Sequence, residues 1–144
     1  MSHDRVSSST FLGRFVARDQ GLRYRDRYRT GRHARVDRLE RAALRELMAD
    51  LGTLHRVLDL PSGTGRLSAV LAEFADRVTL ADGSSTMLQI AREDLNGLPA
   101  DYIQTDLESL ALNAGSVDLV FATGFSITSK TAHCAHACSA NSPA

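Results

Sequence analysis

Cysteine is scarce in these 144 residues, and both copies, Cys134 and Cys138, fall near the end. No disulfide framework is therefore expected. No apolar run approaches the roughly 20 residues that a membrane helix needs. The opening MSHDRVSSSTF lacks the long apolar core of a signal peptide. Together these absences set the expectation of a cytoplasmic protein without a membrane partner. Net charge is missing too, with 17 basic side chains against 17 acidic ones. The balance is nevertheless uneven along the chain. Residues 1–56 carry 13 arginines against 7 acids, whereas residues 57–144 carry 4 basic side chains against 10 acids. Such asymmetry fits either a solvated basic arm or a polyanionic partner. The length suits one domain, and 43% hydrophobic with 24% charged residues is ordinary for a soluble globular chain.

What is present organises itself in three parts. Residues 1–33 read as an N-terminal basic arm. Within it GLRYRDRYRTGRH, residues 21–33, alternates Arg23, Arg25, Arg27 and Arg29 with Tyr24, Asp26 and Tyr28. An extended arm would put all four arginines on one face, and a helical one would spread them around the axis. Residues 34–51 read as a helix, with Val36, Leu39, Ala43, Leu44, Leu47, Met48 and Leu51 at helical spacing. Asp37 and Arg41 are placed to support it at i,i+4, and Gly52 supplies the stop.

A βαβ rhythm follows. Residues 56–60, 78–82, 102–105 and 117–123 read as strands, the first and last apolar on both faces as in central parallel strands. Helices are expected over 67–75, with Leu67, Val70, Leu71 and Phe74 on one face, and from Ser85 to about Leu95 after a Ser84 cap. Its inward residues are Met87, Leu88, Ala91 and Leu95. No convincing helix separates the last two strands. The fold class is thus α/β, a Rossmann-like, open and mostly parallel sheet with flanking helices. It is C-terminally incomplete at about four strands, where doubly wound sheets usually continue further. Residues 34–124 form this partial domain. Residues 125–144 read as a low-complexity, disordered tail, since 129–144 contain no Val, Ile, Leu, Met or aromatic residue. A truncated or shifted reading frame would produce such an ending.

The stretch VLDLPSGTGRLS, residues 57–68, carries the chemistry. Gly63 and Gly65 stand at a strand-to-helix turn, where glycine permits unusual dihedrals and lets a ligand approach the backbone. Amides at a helix start can hold an anionic group. Asp59, Asp82 and Asp106 close three successive strands, and so belong to the carboxyl edge where open α/β sheets bind ligands. Each acid alone could be structural: a buried acid on loop amides, a turn residue, a helix cap. A pyrophosphate would be repelled by Asp59, and Ser68 stands where a GxGxxG fingerprint needs its third glycine. This disfavours a nicotinamide-type dinucleotide. A ligand with a cationic centre suits the acids better, and S-adenosyl-L-methionine combines a sulfonium with a ribose and a carboxylate.

VLDLPSGTGRLS, VTLADGSSTMLQIA, YIQTDLESL and SVDLVFATG, in that order and spacing, resemble the class I S-adenosylmethionine-dependent methyltransferases, in particular type 11/25-like domains. The resemblance runs over residues 34–125. It implies that Asp59, Gly63 and Gly65 lie under the methionine part of the donor, and that Asp82 grips the ribose hydroxyls with Gly83 beside the adenine. It implies an apolar contact to the base from Met87, and contacts to the adenine edge from Asp106 and Leu107. Thr123 falls where substrate and methyl group meet. Pro61 replaces the first glycine of the usual loop, a variant known in the family. The last three strands of the family's seven-stranded sheet have no counterpart here.

The resemblance implies methyl transfer, with positioning as a main source of rate. No general base is identifiable, and no catalytic residue is assigned. ATGFS after the fourth strand replaces the Asn/Asp-Pro-Pro-Tyr-type signature of amino-group methylation on bases. A small-molecule acceptor is the leading expectation; Tyr24, Tyr28 and Arg32 belong either to a disordered arm or to a lid over the site. Two rivals stay open: an RNA methyltransferase fragment using the Arg/Tyr-rich arm, and a non-catalytic adenosyl-binding remnant. His133, Cys134, His136 and Cys138 are good zinc ligand types, but they crowd into six residues without a second cluster, so no metal is expected. His33 and His55 have no evident partners. The sequence does not address oligomeric state.

Overall fold

The computed structural model describes residues 17–105, 110 and 112–123. Arg18–Arg27 form helix α1 and Gly31–Leu51 form helix α2. Strand β1, Leu54–Asp59, leads to the short helix α3, Ser68–Leu71, and then to strand β2, Ala75–Asp82. Helix α4, Ser85–Asp94, strand β3, Ala100–Gln104, and strand β4, Leu119–Phe121, complete the order. All four strands are parallel in the order β3-β2-β1-β4. This is the expected α/β architecture.

The core sits mainly between one sheet face and the helices. Val57 of β1 and Val78 and Leu80 of β2 meet Leu44 and Met48 of α2, Val70 and Leu71 of α3, and Leu88 and Ala91 of α4. Period-2 alternation sends Leu58, Leu60 and Ala81 to the opposite face, where Leu110 and Val117 pack on them. Burying each large aliphatic side chain here is worth roughly 1.5–3 kcal/mol, which makes β1 and β2 the central support of the rim described below.

Several elements differ from their sequence expectation for local reasons. The basic segment, for which the sequence leaves extended and helical forms both open, is helical at 18–27, and its Gly21 is buried against α4. The helix expected over 67–75 regularises for only four residues. Phe74 already gives its carbonyl to the Leu54 amide at 2.9 Å, so the chain has joined the sheet by then. β2 begins at Ala75, three residues early, because Asp76 and Arg77 are exposed and hide the strand pattern. On α2, only Leu44 and Met48 of the seven apolar residues are buried; Val36, Leu39, Ala43, Leu47 and Leu51 face solvent. β4 borders the described sheet, and its Val120 is exposed despite the centre-strand composition. Other expectations hold. Gly52 ends α2 at φ 75°, Asp37 and Arg41 pair at 2.7 Å, and Ser84 Oγ accepts from the Met87 amide at 3.3 Å.

Candidate functional site

Parallel pairing brings the ends of the strands to one rim. Asp59 lies opposite Leu80 in β2 and Phe121 in β4, and Asp82 lies opposite Gln104 in β3. The loop after β1 stays tied to both neighbours. The Leu60 amide donates to the Phe121 carbonyl at 3.0 Å and the Ser62 amide to the Ala81 carbonyl at 2.9 Å. Between these bonds the chain passes Pro61 and bends through Gly63, at φ 56°, and Gly65, at φ 72°. Both values lie in the left-handed region that glycine occupies without strain. The two glycines do different work. A methyl group on Gly65 would meet Leu95, Leu80 and Ala91, whereas one on Gly63 would have no heavy atom of the described residues within 4 Å.

Asp59 and Asp82 flank this bend from adjacent strands, and both are buried. Asp59 accepts a 2.5 Å hydrogen bond from Ser68 Oγ through Oδ2. Asp82 accepts from the Gly63 amide through Oδ2 and from the Ser84 amide through Oδ1, both at 2.8 Å. Burial pushes Asp59 up to about 7, the Ser68 hydroxyl opposes this, and the nearby Asp82 charge adds to it. Burial also raises Asp82, against the two amides that favour its charged form. Two neighbouring acids that both resist ionisation make a place where an incoming cation is favoured. Each carboxylate oxygen also has a second lone pair for a ligand hydroxyl. The buried Ser62 hydroxyl has no partner among the described residues. These features, with the open space over Gly63, fit a ligand that carries positive charge and hydroxyl groups.

The remaining candidates are placed as follows. Gly83 follows Asp82, and its carbonyl accepts from Gln104 Nε2 at 3.2 Å. Met87 is buried on α4, with its sulfur facing Gly21 of α1. Thr123 is exposed two residues beyond β4. Asp106 and Leu107 lie outside the described residues, as do the 125–144 tail and its His/Cys cluster. Among the described residues no group of three or more His, Cys, Asp or Glu could hold a metal ion. No described helix is long and apolar enough to cross a membrane. A separate hollow of about 700 Å³ lies against Arg92, Leu95, Tyr102 and Ile103 at the β3 edge, and it shares no residue with the rim.

Two roles were missed from sequence. Ser68, read only as a departure from a glycine fingerprint, is the hydroxyl that holds Asp59. Arg66, directly after Gly65, pairs with Asp37 at 2.6 Å and Glu40 at 2.8 Å and lies 4.3 Å from the centroid of the Tyr28 ring. It thereby clamps α2 and the end of α1 onto the bend. Tyr24 stacks edge-on with Tyr28, and burial first, then the contact with Tyr28, pushes Tyr24 up to about 12. The only sequence signal was a basic residue beside the glycines and an acid-bearing helix upstream. Arg66→Ala should lower stability by about 1–2 kcal/mol, with Arg66→Lys restoring only part because ammonium lacks the planar stack. Denaturant midpoints of both variants check this.

The charge asymmetry of the sequence is met in part by ion pairs between the two halves. Arg18 pairs with Glu93, Arg25 with Asp94 and Arg45 with Glu73, so part of the excess basic charge of the N-terminal part meets acids of the remainder. The histidines have partners as well. His55 Nδ1 lies 2.7 Å from Asp76, which raises its pKa, and His33 meets the Tyr28 ring edge-on.

Comparison with known proteins agrees with this geometry. A family model described as a methyltransferase domain matches residues 57–140. The ubiquinone/menaquinone biosynthesis C-methyltransferase of Pseudoalteromonas translucida is 38% identical over 73 residues, covering 46% of this chain and 29% of that protein. The demethylmenaquinone methyltransferase of Clavibacter sepedonicus is 35% identical over 85 residues, covering 58% of this chain and 34% of that protein. The chain therefore spans about a third of the length of such relatives. Among solved structures, a DhpI–SAH complex superposes with a TM-score of 0.60 at 29% identity, covering 81% of this chain and 54% of that one. A SAM-dependent methyltransferase from Leishmania major gives 0.60 at 25% identity, covering 76% and 44%. With more than half of its residues matched by the family model on a parallel α/β sheet of this kind, the chain belongs to the methyltransferase domain family of class I S-adenosylmethionine-dependent methyltransferases.

Proposed function

We propose that the rim holds S-adenosyl-L-methionine and that the acceptor is a small aromatic quinol-type molecule. The observation that carries the first part is the pair of buried carboxyls, Asp59 and Asp82, on either side of the Gly63 bend. In this reading Asp82 receives the two ribose hydroxyls while its bonds to the Gly63 and Ser84 amides keep it oriented. Gly83 and Met87 border the base, as do Asp106 and Leu107. Pro61 and Gly63 leave room for the methionine part. Gly65 acts at one remove, by letting the bend settle on Leu80 and Ala91. The bound donor supplies a methyl group already activated on a positive sulfur.

Asp59 answers that positive charge. Its carboxyl, raised to about 7, is only partly ionised at pH 7 in the free protein, and an opposite charge nearby favours full ionisation. Ser68 holds it in place through that change. Thr123, just past β4, stands where the acceptor approaches. The acceptor class is supported by the names of the relatives, which methylate demethylmenaquinone or act in ubiquinone/menaquinone biosynthesis.

Calorimetric titration with S-adenosylhomocysteine tests the donor site. The wild type should bind, and Asp82→Ala should bind about 10–100-fold more weakly, the worth of hydrogen bonds to a charged group. A folded wild type that gives no heat of binding refutes the site. Transfer of labelled methyl to a demethylated quinol, against a catechol and a short RNA, tests the acceptor.

A further inference from the structure

Helix α2 carries a second apolar stripe that the core does not use. At 3.6 residues per turn, Val36, Leu39, Ala43, Leu47 and Leu51 span about a third of the helix surface, adjoining the buried face of Leu44 and Met48 only at Leu51. All five are exposed, Leu39 at 63% and Leu47 at 55%. Arg35 and Glu46 flank this stripe on one side, and Arg32 and Asp50 lie within it near the start and the end of the helix. These four are exposed and make no ion pair among the described residues, unlike most other charges of α1 and α2. At the other side of the stripe, between Leu47 and Leu51, Glu40 is already held by Arg66.

We propose that α2 pairs antiparallel with α2 of a second copy of this chain. The argument is charge complementarity on a self-matching surface. A two-fold axis perpendicular to the helix pair places the same flank of both helices side by side and reverses their direction. Arg32 and Arg35 of one copy then face Asp50 and Glu46 of the other, twice over. Val36 and Leu39 meet Leu47 and Ala43 across the middle of the seam. A parallel pairing would set Arg32 against Arg32 and Asp50 against Asp50 within the seam and would separate Arg35 from Glu46, which disfavours it. The interface is one helix wide, so it belongs to the small, reversible class. Pairing also occupies Arg32 and Arg35, which removes them from any surface offered to a polyanion.

Sedimentation velocity on the full chain, over about 1–500 μM, should show a monomer–dimer equilibrium that weakens with salt, since exposed pairs are screened. Leu39→Glu, at an exposed position, should raise the dimer dissociation constant at least tenfold while leaving the far-ultraviolet circular dichroism unchanged. The decisive arm is a charge exchange. The double variants Arg32→Glu/Arg35→Glu and Glu46→Arg/Asp50→Arg should each self-associate at least tenfold more weakly than the wild type. Mixed in equal amounts, they should form a heterodimer. A monomer throughout the range overturns the proposal, as does a dimer indifferent to Leu39→Glu or a mixture that stays monomeric. Flotation of a monomeric chain with vesicles rich in anionic lipid would overturn it too, assigning the stripe to a membrane surface instead.

Discussion

Asp59→Asn should stabilise the folded chain at pH 8 by about 1–3 kcal/mol and give no gain at pH 4. The reason is that burial raises the Asp59 carboxyl to about 7, against about 3.9 in an unfolded chain. Between those values the folded state keeps a proton that the unfolded state has released. Stability from this group is therefore complete below pH 4 and is lost as pH rises to 7. Across the window the loss is on the order of 4 kcal/mol. Asparagine is neutral throughout and its carbonyl still accepts from Ser68. Its amide hydrogens then need partners, so the gain stays below the full electrostatic loss.

Many other acids have lowered pKa values, including Asp37 beside Arg66 and Arg41, and Asp118 on the His55 and Arg56 amides. They give stability the opposite slope at acid pH. The informative quantity is thus the difference between variant and wild type, measured by urea denaturation at pH 4, 6 and 8. It should grow from pH 4 to 7 and then level off. A difference that does not change with pH would mean that Asp59 is not the buried acid with a raised pKa described here. The same variant should bind S-adenosylmethionine more weakly, so stability and donor affinity should move in opposite directions.

Gly65→Ala should destabilise the chain by about 2–4 kcal/mol, combining a left-handed residue with overpacking. The added methyl would lie 2.6 Å from Leu95 Cδ1, 2.9 Å from Leu80 Cδ2 and 3.3 Å from Ala91 Cβ. Leu95 can rotate away. Leu80 and Ala91 are fully buried and cannot. Gly63→Ala is the internal control, because Gly63 has a similar positive φ but open space around it. Its cost should be only the backbone part, about 1–2 kcal/mol. Donor affinity should then separate them the other way. Gly63→Ala intrudes on the space proposed for ligand, so it should impair S-adenosylhomocysteine binding at pH values where it is fully folded. Equal unfolding midpoints for the two variants would show that Gly65 does not pack as described.

Much of this was legible in the residues themselves. Alternating apolar runs and helical stripes located the strands and helices, and the glycines after β1 and the acids ending β1 and β2 marked the rim. Those signals are local: a period, a turn former, a charge at a strand end. They carry no information about partners distant in sequence. The Asp59–Ser68 bond needed the exact path of the bend, and the Arg66 clamp needed α2 folded back over it. Composition even pointed the wrong way for α2 and β4. An apolar residue at helical spacing reads as core whether or not anything covers it, as Leu39 and Val120 illustrate.

The amino-acid order by itself therefore determined the parallel α/β plan and the acidic, glycine-bent rim, because periodicity and turn chemistry act within a few residues. Only the tertiary structure decided which glycine is packed and which is open, which acid is held near neutrality, and which face of α2 is left bare. Burial and electrostatic environment are sums over groups that the chain brings together from far apart.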